Sequence, residues 1–350
     1  MAIQHTVYDT ATLLGVFREL EEPTTFWLDL AFGGSALTFE DEYVDFSKIN
    51  ETRKLAPLVV PTSQGVPMYD QAERTFRVKP AYLKPKDPVS AAQMLRRRAG
   101  FGELLAAQPL SPQERFDATL AEIARQHRNG IYRHMEKMAA DAILYGQVTL
   151  EADNYPRTVI DFERDAGHTV TLTVGNRWGE SGVSIIDNIE DWLNIIHMAK
   201  FGGPVNKIIV GTKAWKAMSA NAEIRELLKT DMRQTSGTSL NLGLGNGTQV
   251  QRKGNLSQNL EVWVYSDYYE ANGAVVPFMD SRDILLIGNN VQGVQCFGAI
   301  LDKGANFQAL PIFPKMWDQE DPSATFLMTQ SAPLPVPVNP NNTFRARVVA

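Results

Sequence analysis

The sequence holds a single cysteine, Cys296, among 350 residues. One thiol forms no internal disulfide and no thiolate-based zinc site, which suits folding in a reducing compartment. Long apolar runs are missing as well. No segment approaches the ~20 apolar residues that a bilayer helix needs, so no membrane partner is expected. The opening MAIQHTVYDT lacks the basic-then-apolar order of a signal peptide. Positive charge is also short. Thirty-four Lys and Arg face 40 Asp and Glu, a net charge of −6. Phosphate recognition needs a cationic surface, so a dedicated nucleic-acid binder is excluded and only a local basic patch remains.

Catalytic motifs are absent too. There is no GxSxG elbow, HExxH, CxxC or GxxxxGK[ST] loop. GLGNG at 243–247 lacks the spacing of a dinucleotide loop and opens no helix, so it reads as part of a mobile loop. His127 and His134 share a helix face but lie ~10 Å apart along its axis, too far to hold one metal between them. Packing or a polar surface is their simpler role. Asp318, Glu320 and Asp321 sit beside prolines and read as a solvated loop, with no pocket for acid–base work. No catalytic, cofactor-binding or metal-binding residues are expected.

What is present is the composition of a folded protein, 44% apolar and 21% charged. Thr10–Leu20 reads as a short amphipathic helix stopped by Pro23. Phe26–Phe32 is an apolar cluster ended by Gly33-Gly34, and Thr38–Val44 alternates as a strand does. These pieces read as an arm laid over something else. Lys54–Pro88 carries prolines at 57, 61, 67, 80, 85 and 88, which forbid a helix or a central strand. Leu58–Val60 and Thr75–Val78 have strand character, so the stretch reads as a long hairpin. It is too poor in apolar residues for its own core, and a two-stranded ribbon is marginal in water. A neighbouring subunit is the partner surface expected for it. The candidate contacts are Pro57, Val60, Pro67, Tyr69, Phe76, Lys79, Tyr82 and Lys84. The basic run Arg96-Arg97-Arg98 is either a further contact, to DNA or an acidic neighbour, or a solvated helix end.

The clearest element begins at Ser111-Pro112, with Glu114 completing a capping-box pattern. Phe116, Leu120, Ile123, His127, Ile131, Met135, Met138, Ala142 and Tyr145 follow at steps of three or four. The spacing predicts a helix over 111–147, roughly 50 Å long, with Phe116, Leu120, Ile123, Ile131 and Met138 as its core face. Strands are expected at Val148–Glu151, Thr158–Phe162 and Thr169–Val174. Residues 183–305 alternate helix and strand as an α/β unit does: Ile185–Phe201 helical, Lys207–Val210 a buried strand, then two short helices at Trp215–Ala220 and Ala222–Lys229. Residues 235–258 are rich in Gly, Ser and Asn and read as a mobile loop. Leu260–Ser266 is a strand, and a hairpin turns at Asn272-Gly273. Ile284–Ile287, Val294–Ile300, Phe326–Gln330 and Phe344–Val349 are further strands. The last is expected to return to the sheet under the long helix.

Several stretches resemble the lambda-like major capsid proteins of tailed bacteriophages, the phage major capsid protein E family. They are KPAYLKPKDPVSAAQMLRRR, VNKIIVGTKAWKAM, VWVYSDYYEANGAVVPFM with RDILLIGNNVQG, and FPKMWDQEDPSATFLMTQSAPLPVPVNPNNTF. The order of proline, tryptophan, Asp-Pro and TQSAPL in the last is the most specific. The matches run discontinuously from about residue 78 to the end and leave out the first ~75 residues and 235–258.

The resemblance implies an α+β chain of the Hong-Kong-97-type capsid fold. Its parts would be an N-terminal arm over 1–48, an extended hairpin loop over 49–88, and a peripheral domain over 89–182 carrying the spine helix. An axial α/β domain would cover 183–305, and return strands of the peripheral domain 306–350. It implies a non-enzymatic, icosahedral shell subunit that assembles in the host cytoplasm into hexamers and pentamers around double-stranded DNA. A decoration protein, a separate scaffold protein and a portal are the implied partners. Expansion of a rounder precursor would bend or straighten the helix at Gly130. Lysine–asparagine cross-links, known in some relatives, are not expected at Lys79, Lys84 or Lys86. Two alternatives stay open: an encapsulin-like nanocompartment shell and a soluble α/β enzyme.

Overall fold

The computed structural model describes residues 13, 25–34, 36–41, 43–49, 73–90, 111–152, 155–231, 239–240, 249–257, 259–271, 273–321 and 324–350. The first half runs α1 (Phe26–Ala31), β1 (Ala36–Thr38), β2 (Val44–Ile49), β3 (Glu73–Val78), β4 (Lys86–Ser90), α2 (Pro112–Tyr145), β5 (Gln147–Ala152), β6 (Tyr155–Asp161) and β7 (Thr169–Thr171). Then come α3 (Ile185–Met198), β8 (Val205–Gly211), α4 (Thr212–Ala220), α5 (Ala222–Asp231), β9 (Ser239–Leu240), β10 (Val250–Ser257), β11 (Leu260–Tyr265), β12 (Tyr268–Ala271) and β13 (Ala274–Pro277). The chain closes with β14 (Asp283–Gly288), β15 (Gly293–Phe297), β16 (Phe313–Gln319), β17 (Ala324–Gln330), β18 (Pro333–Pro337) and β19 (Thr343–Arg347).

The 34-residue helix α2 organises one side of the molecule. Its start is fixed locally. Ser111 Oγ accepts the Glu114 amide at 3.3 Å, the Ser111 amide donates to Glu114 Oε2 at 2.7 Å, and Pro112 sits at the first helical position. Two orphan amides are thereby satisfied. The helix stops at Gly146, which adopts φ +69° and donates to Ala142 O at 3.1 Å. Along its ~51 Å it serves two cores. Phe116, Leu120, Ile123 and Ala124 pack with Val89, Met316 and Leu327. Ile131, Met135, Met138 and Ile143 pack with Trp27, Phe32, Leu334 and Val336.

Two three-stranded sheets lie under α2, in the orders β16-β17-β4 and β1-β15-β18. Beside them stands a seven-stranded mixed sheet, order β7-β19-β14-β8-β11-β10-β9. Its strand β14 is buried along its whole length. Leu285 and Ile287 join the core beneath α2, while Ile284 and Leu286 join the core built with α3 and α4. A strand covered on both faces reads as a continuous apolar run, which explains the ILLI of residues 284–287. Among the described residues, ribbons β2–β3, β5–β6 and β12–β13 each pair only with themselves.

Several expectations need correction. The late strand β19 does not return to the sheet under α2. It lies between β7 and β14 in the seven-stranded sheet. β15 goes the other way and pairs with β18 beneath the helix. The segment 235–258 is not a loop throughout, because β10 pairs antiparallel with β11 along eight residues. Register shifts around Gly254, at φ +130°, accommodate its glycine and polar residues. The strand expected over Thr38–Val44 is two strands, β1 and β2, with residues 39–43 between them. The apolar cluster at Phe26, given no element type from the sequence, is helix α1. The proline-spaced run near 335 is strand β18. The hairpin exists at β3, and its first strand is β2, residues 44–49. The strand expected at Leu58–Val60 lies outside the described residues, as does all of Thr10–Leu20 except Leu13, which is helical and buried.

Candidate functional site

Of the contacts proposed from sequence, Pro57, Val60, Pro67, Tyr69 and Arg96-Arg97-Arg98 lie outside the described residues. Phe76 stands on β3 opposite Phe46. The ribbon is rooted by Val44, fully buried, and Val78, both at the core beneath α2. Beyond the root, Lys79 and Lys84 are exposed. Tyr82 is tied within its own chain: its hydroxyl donates to Ala299 O and accepts the Leu301 amide at 2.8 Å. Lys84 Nζ lies 5.1 Å from the Tyr82 ring.

The spine-helix residues Phe116, Leu120, Ile123, Ile131 and Met138 are 2–7% exposed. Gly130 falls between the two groups they form. It is exposed, with open space where a side chain would be.

Among the described residues one acid–imidazole–hydroxyl array occurs. His127 Nε2 lies 2.9 Å from Asp87 Oδ2 and Nδ1 lies 3.0 Å from Thr329 Oγ1. Nucleophilic catalysis needs a hydroxyl that a substrate can reach. Thr329 is fully buried beneath α2, so the array fastens the helix to β4 at the foot of the ribbon and to β17. His134 is separate from it. Burial, with Lys137 nearby, lowers its imidazole to about 4, so it is neutral at pH 7. Among the described residues no cluster of three His, Cys, Asp or Glu side chains could hold a metal ion.

Three polar joints carry the geometry instead. At the first, Glu136 on α2 accepts the amides of Phe26, Trp27 and Leu28 at 2.7, 2.6 and 3.0 Å. Thr25 offers α1 no side-chain cap, so a carboxylate 108–110 residues away satisfies its orphan donors. At the second, Arg164 donates to Ile143 O and Leu144 O, both at 2.9 Å, and to Thr169 Oγ1 at 2.7 Å and Thr343 Oγ1 at 3.2 Å. It joins the C-terminal turn of α2 to the seven-stranded sheet, placing a cation where the helix dipole favours one. At the third, Asp283, 1% exposed, accepts from Arg345 and Arg347, and Asp280 from Arg282 and Arg347. None of these joints was visible in the sequence. For Glu136 the only available signal was its place inside the Met135–Met138 segment of the apolar stripe.

The described residues thus contain fasteners, self-paired ribbons and a long helix. The comparisons agree with this arrangement. The sequence description of the family named phage major capsid protein E matches residues 9–348. The P21 prophage-derived major head protein of Escherichia coli O6:H1 strain CFT073 is 26% identical over 340 residues, covering 96% of this chain and 97% of that one. The major capsid protein of Escherichia phage lambda has the same identity and coverage. A solved prophage protein of E. coli CFT073, described as a capsid protein, superposes with TM-score 0.73 at 22% identity, covering 99% of this chain and all of the other. A chain of the mature capsid of bacteriophage PhiM1 gives 0.50 at 10% identity, covering 99% and 91%. These likenesses give the fold as the Hong-Kong-97 type. The chain belongs to the phage major capsid protein E family and is a structural subunit of the phage head, not an enzyme.

Proposed function

We propose that this subunit closes an icosahedral shell by forming hexamers and pentamers around double-stranded DNA, with its ribbon laid on a neighbouring copy. The observation that carries this reading is the β2–β3 ribbon. Among the described residues it has no third strand, and only its root enters the core. A contact of that kind, repeated head to tail around rotation axes, closes rings.

A receiving face is available on the same chain. On the side of the β16-β17-β4 sheet away from α2, Trp317 and Phe326 stack at 5.7 Å and Lys86 Nζ lies 4.1 Å from the Phe326 ring. Half-buried aromatics with a cation on top offer area and some cation–π attraction to an arriving strand. Division into arm (1–48), ribbon (49–88), peripheral parts (89–182, 306–350) and axial part (183–305) belongs to the same proposal, with the strand exchanges described above. So do the decoration, scaffold and portal partners, the contact of Arg96-Arg97-Arg98 with DNA or an acidic neighbour, and the bending of α2 at Gly130 during expansion.

The test is expression of the intact chain with and without residues 50–72, followed by sedimentation and electron microscopy. Intact protein should form closed shells, and the shortened chain should fold yet remain as small species. Shells of normal size from the shortened chain would sink the reading.

A further inference from the structure

Glu136 is a buried carboxylate, 5% exposed, that serves no reaction. Its neighbours are largely apolar, including Trp27, Leu28, Met135 and Tyr265. No ion-pair partner stands against it among the described residues, only the three α1 amides. The charged groups around it are mostly of its own sign. Asp29 approaches from α1 and Asp267 from the turn between β11 and β12; Arg133, one turn back on α2, is the single cation lining the same pocket. Tyr265 contributes a phenol that stays neutral. The pocket opens Glu136 to solvent protons beside Thr25.

This geometry exists only while α1 is seated. If α1 leaves, Glu136 returns to water. Seating therefore buries one carboxyl group against three amide dipoles with no ion-pair partner among the described residues. Desolvation favours the neutral acid, and hydrogen bonds to amides favour the anion. Burial is the larger effect here and pushes Glu136 up to about 7, with Asp29 adding to it.

We propose that the seating of the arm helix α1 on the spine helix α2 is a proton-linked latch worked by Glu136. The seated state holds a proton that the open state releases. A group raised on seating stabilises the seated arm most below its ordinary value of 4.5, and that contribution is lost as pH rises through 7. Acid therefore tightens the arm and mild alkali loosens it. The arm's Phe32 also packs on Gly293, where an added Cβ would meet Ala31 O at 2.4 Å, so loosening α1 uncovers the end of β15.

The test is amide hydrogen exchange of the peptide holding Trp27 and Leu28, in the unassembled chain and in shells, from pH 5 to 8. Rates are corrected for the intrinsic pH dependence of exchange. The seating equilibrium should weaken on the order of fifty-fold across that range, and Glu136→Gln should flatten the slope. A carbon-13 titration of the wild-type glutamate carboxyls gives a second reading that needs no variant, with one residue expected near pH 7. PH-independent protection, an unchanged slope in E136Q, or a Glu136 midpoint near 4.5 in the seated state would each overturn the latch.

Discussion

Replacing Arg164 by alanine should loosen the joint between the long helix and the seven-stranded sheet. The guanidinium bridges two carbonyls of the last helical turn and two threonine hydroxyls on β7 and β19. Hydrogen bonds to a charged group contribute about 1.5–3 kcal/mol each in isolation. They are not additive, and burial, with Arg345 nearby, already draws the guanidinium down to about 10, which offsets part of the gain. A net loss of about 2–4 kcal/mol follows. For a chain of 350 residues this corresponds to a Tm lowered by about 3–5 °C. Scanning calorimetry of the unassembled chain reads it directly. R164M keeps the apolar stem without the donors and should fall with R164A. R164K should recover only part, because one ammonium cannot fork across four acceptors. A Tm for R164A within about 1 °C of wild type would refute the reasoning.

Leu327→Ala empties a fully buried site between β17 and α2 and should cost about 3–4 kcal/mol, measured by urea unfolding. Gly130→Ala adds a methyl to open space on an exposed helical face and should stabilise the chain by about 0.5–1 kcal/mol in the same assay. Gly293→Ala should displace Phe32, seen as a red shift of Trp27 emission with the far-ultraviolet dichroism retained. Hydrogen bonding by Arg282 chiefly holds Asp280 down at about 2. Its contribution is present above pH 3.8 and lost as pH falls through 2, so Asp280→Asn should blunt the acid-unfolding limb below pH 4.

The readable parts of the fold were those set by local chemistry. Ser111, Pro112 and Glu114 announce a helix start from four consecutive positions, and the 3.6-residue stripe after them needs no distant partner. β18 escaped because prolines at 333, 335 and 337 argue against a strand. Recurring every second residue, they place all missing donors along one side, and β18 is an edge strand where such a row is tolerated. β10 escaped because a bulge at Gly254 lets a polar, glycine-bearing sequence pair. The destination of β19 depends on which sheet has an open place beside β14, a fact of tertiary assembly. His127 stood in the stripe with either packing or a polar surface as its expected role, and its bonds to Asp87 and Thr329 join residues 40 and 202 positions away. Glu136 drew no expectation from the sequence, because its partners arrive from an element more than 100 residues earlier.

The division of α2 between two cores has a mechanical consequence. The rod rests on one bearing at Phe116–Ala124 and another from Ile131 onward. Residues 125–130 form the span between them; His127 ties that span to Asp87 and Thr329, and it presses on nothing at Gly130. A beam supported in this way can flex at midspan while both bearings keep their grip. Under the proposed bending at Gly130, one subunit would match facets of different curvature without repacking its interior.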